Sequence, residues 1–136
     1  MPNTIASEVR SALKAWLAAY NARDLDALMS LYDPGIIYAN AHSPLIRGLD
    51  EVRPWFEKAL AASGQRELLF KEETLIAGEE LTLIAGKFCF RQPDGSGSAG
   101  RVTLLYRRSE GRWLLAYDTD NTPPDCVSSD FDETDA

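Results

Sequence analysis

The chain has one histidine, His42, and two cysteines, Cys89 and Cys126. Two cysteines build no disulfide framework and allow at most a single bridge, and no C-x-x-C or H-E-x-x-H spacing marks a metal site. A glycine-rich phosphate loop and a G-x-S-x-G nucleophile turn are missing as well, so no short motif announces a chemistry. No apolar run approaches the roughly 18 residues of a membrane span. Residues 1–15 carry Glu8, Arg10 and Lys14 in a helical pattern, without the continuous apolar stretch of a secretion signal. The expectation is a soluble cytoplasmic protein. A basic excess is also lacking. Fourteen Lys and Arg stand against twenty-one Asp and Glu, a net charge of -7, which argues against a nucleic-acid partner or an anionic membrane surface.

What is present is a globular composition, 45% hydrophobic and 26% charged, in 136 residues. That is one domain, long enough to bury a core without staples. Ile5, Val9, Leu13, Trp16, Leu17 and Tyr20 recur three and four apart and predict a helix over 4–22. A short second helix follows over 25–31, and Asp33-Pro34-Gly35 is expected to stop it. Residues 36–42 read as a strand, Ser43-Pro44 as a turn and 45–47 as a short return strand. A third helix is expected over 50–63, with Pro54 in its first turn. From Arg66 the period changes to two, predicting strands over 68–74, 80–91, 101–108 and 113–120. Asp94-Gly95 marks a hairpin between the second and third of these, within a Gly- and Ser-rich loop over 92–100. The connections are too short for parallel crossovers, so these four strands are antiparallel.

Residues 121–136 differ in kind. They hold Pro123-Pro124 and five acids (Asp125, Asp130, Asp132, Glu133 and Asp135) with no base among them. The expectation is a single domain over 1–120 and a flexible acidic tail over 121–136. Without that tail the net charge would move from -7 to -2.

Three helices followed by a mostly antiparallel sheet predict an α+β fold with the helices on one sheet face. The run Ala15-Trp16-Leu17-Ala18-Ala19-Tyr20-Asn21-Ala22-Arg23-Asp24-Leu25-Asp26-Ala27-Leu28 resembles the opening of NTF2-like, or SnoaL-like, domains. Leu31-Tyr32-Asp33-Pro34, Ile46-Arg47-Gly48 and Val52-Arg53-Pro54-Trp55-Phe56 continue the likeness, and Gly111-Arg112-Trp113-Leu114-Leu115-Ala116-Tyr117-Asp118 matches the final strand. The resemblance implies a cone-shaped fold with a curved sheet, an apolar cavity at its open end, and a homodimer through the outer sheet face. It implies no single activity, because such folds include ketosteroid isomerases, dehydratases, epoxide hydrolases, polyketide cyclases and proteins without catalysis.

By similarity to the ketosteroid isomerases, Asn40, Asp118 and Asp120 would face the cavity, with Trp16 projecting near them from the first helix. The isomerase arrangement itself is absent. Asn40 stands where those enzymes have a carboxylate base, Trp16 where they have a tyrosine, and Thr103 or Leu104 near their third polar group. A carboxamide has no useful proton affinity, and an indole replaces a phenol poorly.

Strand alternation groups Leu114, Ala116, Asp118 and Asp120 on one face and Trp113, Leu115, Tyr117 and Thr119 on the other. Asp118 is the leading catalytic candidate, since a carboxyl facing an aromatic cavity would have its charged form disfavoured and become a base near neutral pH. Its plain alternative is a strand-end carboxylate accepting backbone hydrogen bonds. His42 and Tyr38 are the candidate proton-transfer partners. Asn40, Trp16, Tyr20, Trp55, Phe56, Phe88, Asp120 and Thr103 are the candidate ligand contacts, and the aromatic ones among them equally suit plain core. Arg101 is read either as attracting an acidic substrate or as a solvated edge charge, and Cys89 as inert packing. No metal or cofactor is expected.

Enzyme and non-enzyme readings stand level at this point. One is a cofactor-independent isomerase, cyclase, dehydratase or hydrolase acting by general acid/base chemistry on an apolar carbonyl or hydroxyl compound. The other is a noncatalytic ligand-binding or homodimeric assembly domain.

Overall fold

The computed structural model describes residues 2–132. Three helices, α1 (Pro2–Asn21), α2 (Leu25–Met29) and α3 (Leu49–Ala62), accompany six strands. These are β1 (Tyr32–Ala39), β2 (Ile46–Arg47), β3 (Glu67–Ile76), β4 (Leu81–Arg91), β5 (Gly97–Ser109) and β6 (Arg112–Asn121), with a 3-10 turn at Ser128–Phe131. The sheet order is β2-β1-β6-β5-β4-β3. Only β1 and β6 run parallel; every other pairing is antiparallel. The class is therefore α+β, as the periodicity predicts. The order leaves β2 and β3 as free edges, so the sheet is open rather than closed on itself.

The helix stripe of α1 buries Val9, Leu13 and Tyr20 against the sheet. Arg23 takes a positive φ of 57°, turning the chain so that Asp24 caps α2 by accepting from the Ala27 N–H at 3.1 Å. Helix α3 buries Val52, Phe56 and Leu60. Pro54 lies in its second turn, not its first, so one backbone hydrogen bond of the helix is absent there. Among the described residues no helix is long and apolar enough to cross a membrane.

Two stretches that read as breaks belong to the sheet. Asp33-Pro34-Gly35 lies inside β1, where the register against β6 jumps from Tyr32↔Leu115 to Ile37↔Tyr117. The turn-forming residues are absorbed as an irregularity: the buried Asp33 accepts from the Gly35 N–H at 2.9 Å and from Arg107 at 3.3 Å. Similarly, β5 begins at Gly97 rather than Arg101, because Gly97 to Gly100 pair with Arg91 to Phe88 on β4. Gly100 is required by close approach: a Cβ there would meet the Asn121 carbonyl at 2.3 Å and the Phe88 ring at 2.8 Å.

The acids of residues 121–132 are balanced across the chain rather than within their own segment. Lys71, Lys87 and Arg101 form one cross-strand row on β3, β4 and β5. Lys71 donates to the Asp130 carbonyl at 2.7 Å, Lys87 pairs with the Asp130 carboxylate at 3.2 Å, and Arg101 with Asp125 at 3.0 Å. Arg91 holds Asp132 at 3.2 Å. Glu133 and Asp135 lie outside the described residues. Both cysteines are buried and free.

Candidate functional site

Between α1, α3 and the inner face of the sheet lies a cavity of about 390 Å³. Its walls are mainly apolar, with eight aromatic rings among them. Trp16 stacks on Tyr20 at 5.6 Å, Tyr38 meets Phe56 edge-on at 5.4 Å and Trp55 at 6.1 Å, and Phe88 meets Phe90 at 5.7 Å. Such offset and edge-on contacts fix each ring's orientation.

A bulge in β6 decides what the last strand presents to this cavity. Leu105 pairs with Tyr117 and Tyr106 with Leu115, so Ala116 is an extra residue opposite no partner. One extra residue inverts the alternation. Strict period-two reading sets Asp118 apart from Trp113 and Leu115; with the bulge all three turn inward and are buried, while Tyr117 turns out. Asp118 is 4% exposed and lies in register between Tyr38 on β1 and Leu104 on β5.

Burial pushes the Asp118 carboxyl up to about 7, the nearby Asp120 charge adds to this, and the Asn40 amide pulls the other way. The phenols facing it respond to the same field. Tyr32, Tyr38 and Tyr106 are all held in their neutral form, first by burial and then by the Asp118 charge. Tyr32 accepts a hydrogen bond from Trp16 Nε1 at 3.0 Å. By contrast, the Tyr106 hydroxyl and Asn40 Oδ1 are buried with no partner among the described residues. Half-buried Asp120 accepts from the Ala41 N–H at 2.8 Å; its burial raises its pKa, and this bond and the nearby His42 oppose the rise.

Most of the sequence candidates therefore converge. Asp118, Tyr38, Asn40, Asp120 and His42 all line the cavity. So do Trp16, Tyr20, Trp55, Phe56 and Phe88. His42 is exposed and stands at the mouth beside Asp120, beyond the end of β1. Thr103 does not line the cavity: Val102 and Leu104, its neighbours of opposite parity, do. Arg101 is on the outer face, where it also pairs with Glu73 at 2.9 Å, and so is neither a substrate anchor nor a free edge charge.

Sequence reasoning missed three residues. Tyr32 follows directly on the helix expected over 25–31 and precedes the strand expected from 36, yet it opens β1. Tyr106 shares parity with Leu104, a signal that the sequence does carry. Arg66 lines the cavity from the segment between α3 and β3, where no periodicity points to it. Among the described residues no group of three His, Cys, Asp or Glu side chains is placed to hold a metal ion.

Comparison with known proteins places these features in context. A family model described as a SnoaL-like domain matches residues 9–118. Among solved structures, an NTF2-like protein of unknown function from Pseudomonas putida superposes with a TM-score of 0.78 at 21% identity, covering 90% of this chain and 89% of that one. A protein from Thiobacillus denitrificans, provisionally described as a calcium/calmodulin-dependent protein kinase type II association domain, gives 0.77 at 19%, covering 84% and 94%. A provisionally described dehydratase of the NTF2-like family from Streptomyces avermitilis gives 0.75 at 17%, covering 91% and 99%. At these identities the likeness is one of fold. None of the curated proteins matches the chain.

Proposed function

The chain belongs to the SnoaL-like family of the NTF2-like superfamily, and from that premise we propose a small-molecule enzyme that moves a proton with Asp118. The observation that carries this reading is a buried carboxyl, lining an aromatic cavity, whose pKa is raised to about 7. A carboxyl so placed is both a stronger base and a more available acid than an exposed one at neutral pH. The substrate is an apolar compound bearing a carbonyl or hydroxyl group. Asp118 takes a proton from the carbon beside the carbonyl, or from the hydroxyl, and returns it elsewhere on the same molecule. The developing oxyanion needs neutral donors, and the Tyr38 phenol and the Asn40 amide line the same cavity. Isomerisation, cyclisation and dehydration all fit this proton economy without a cofactor; hydrolysis fits it when Asp118 takes the proton from an attacking water and passes it to the leaving group. The cone shape of the open end, the cytoplasmic location and the homodimer belong to the same proposal.

A deuterium-exchange assay tests it. Wild-type protein is incubated in D2O with a panel of apolar ketones, and loss of the α-proton signal is followed by NMR. Exchange above the buffer rate, lost by at least about 100-fold in Asp118→Asn, is expected. Exchange that persists in that variant would sink the assignment of Asp118.

A second reading is favoured by the exposure of Ile76, Leu81 and Tyr117 on the sheet, at 61%, 47% and 37%. These side chains suit a homodimeric assembly domain, and the cavity without catalysis suits a ligand-binding one; the Thiobacillus protein is described as an association domain. Binding without exchange in the assay above would select this reading.

A further inference from the structure

The far end of the cavity from Asp118 contains a cation without a counter-ion. Arg66 lines the cavity, its guanidinium lies 4.4 Å from the centre of the Phe90 ring, and its Nε is buried with no hydrogen-bond partner among the described residues. Four of the ten arginines hold no carboxylate among the described residues, and of these only Arg66 lines the cavity. Arg10, Arg53, Arg91, Arg101, Arg107 and Arg108 each hold a carboxylate, whereas Arg66 holds none among the described residues. Nor is its position loose. Arg23 donates to the Gly64 carbonyl at 2.8 Å and to the Arg66 carbonyl at 2.6 Å, fixing the backbone from which the side chain leaves. The Tyr20 ring packs on Phe90 at 5.9 Å and backs the stack.

The two ends of the cavity have opposite character. Its carboxylates, Asp118 and Asp120, stand at one end. Phe90, under the Arg66 guanidinium, pairs with Ser98, six positions along β5 from Leu104, the partner of Asp118. At 3.3 Å per residue this is about 20 Å of strand. Rings line the space between, and Ser98 adds a hydroxyl at the Arg66 end.

Building on the proton-transfer reading, we infer that Arg66 is the anion anchor of the cavity and that the ligand is an apolar carboxylic acid. Its carboxylate sits against Arg66, and its uncharged reacting end lies near Asp118. A guanidinium presents a planar fork of N–H donors that matches a planar carboxylate. A stacked, partly desolvated cation gains more from such a partner than an exposed one. One arginine in the cavity lining, in a chain of net charge -7, suits a monoanion and is poorly matched to a phosphate dianion.

The test compares 6-phenylhexanoate with its uncharged counterpart 6-phenylhexanamide, using calorimetric binding at pH 7.5. In the wild type the acid binds at least about tenfold more tightly than the amide, and in Arg66→Gln the two bind alike. Arg66→Lys keeps the charge without the fork and retains part of the preference. Unchanged amide affinity in Arg66→Gln shows that the cavity is intact. Equal binding of acid and amide to the wild type, or a preference surviving in Arg66→Gln, overturns the anchor while leaving the proton-transfer reading in place. Failure of both probes to bind, together with no α-proton exchange on the ketone panel, overturns both.

Discussion

Tyr38 and Asp118 stand opposite each other across the parallel β1–β6 pair, a neutral phenol beside a buried carboxyl. This juxtaposition has a thermodynamic signature that needs no substrate. An unfolded aspartate titrates near 3.9, whereas Asp118 in the fold titrates at about 7. Between those values the folded state binds more protons than the unfolded one, so stability falls as pH rises through this window and levels off above it. The difference of about 3 units corresponds to about 4 kcal/mol.

Asp118→Asn removes this pH dependence. Urea denaturation from pH 4 to pH 8.5 should show little difference between variant and wild type at pH 4. The variant's advantage should grow to a plateau above pH 8, as large as about 4 kcal/mol. Asp120 is shifted in the same direction and remains in both proteins, so its own burial cancels, whereas its repulsion of Asp118 is part of the difference measured. An advantage that is constant with pH would mean that Asp118 is not buried in the protonated form at low pH.

Two tyrosines beside Asp118 should respond oppositely to loss of their hydroxyls. The Tyr106 hydroxyl has no partner among the described residues, so Tyr106→Phe removes an unsatisfied buried group and should be neutral or stabilising, by up to about 1 kcal/mol. The Tyr32 hydroxyl accepts from Trp16 Nε1, so Tyr32→Phe orphans a part-buried indole N–H and should cost about 1 kcal/mol or more. Chemical denaturation midpoints at one pH separate the two. Destabilisation by Tyr106→Phe as large as that by Tyr32→Phe would show that Tyr106 has a bonding partner.

Much of the fold was legible because it rests on periodicity. The α1 stripe and the alternation of β4 each follow from burial on one face, and a wrong period would expose several large side chains at once. What escaped has a local cause in each case. Asp33-Pro34-Gly35 reads as a stop because its residues favour turns, yet the sheet absorbs it. The inward face of β6 could not be read by counting, since Ala116 inverts the parity and nothing in its own chemistry announces a bulge. Asp118 was selected for its residue type and its likeness to known cavities; the alternation grouped it with Leu114, the half-buried neighbour it does not join. Thr103 failed for the ordinary reason that its neighbours of opposite parity face the cavity. Arg66 carries no periodic signal because it lies in a connection.

Gly100 offers a test of the cavity wall. A Cβ at this position would crowd the Asn121 carbonyl and the Phe88 ring, and the carbonyl cannot yield without breaking the β5–β6 ladder. Gly100→Ala should therefore cost about 1–3 kcal/mol, the range of an overpacked interior, despite alanine's lower chain entropy. Gly95→Ala, in the hairpin loop with open space around it, is strained only by its positive φ of 91°. It should cost less in the same thermal denaturation series. Equal costs would mean that close approach at Gly100 is not what the site requires.

The segment after β6 makes a prediction through Cys89. Cys89 is fully buried although it shares its face of β4 with Lys87 and Arg91, whose heads reach outward to Asp130 and Asp132. That outward face is the one on which the Ser128–Phe131 turn packs. Burial pushes the Cys89 thiol above its ordinary range; Arg91 opposes the rise, and Asp130 and Asp132 add to it. Ending the chain after Pro124 removes this cover, and Cys126 with it, leaving Cys89 as the only thiol. Its labelling by a disulfide reagent at pH 8 should then accelerate by about tenfold or more, since exposure and a larger thiolate fraction act together. Asp130→Ala in the full chain should give a smaller increase. High salt should mimic it, because the Lys87–Asp130 and Arg91–Asp132 pairs are partly exposed and are screened. A labelling rate unchanged by truncation would show that β4 is shielded from its own side of the sheet, and that the acidic segment covers nothing.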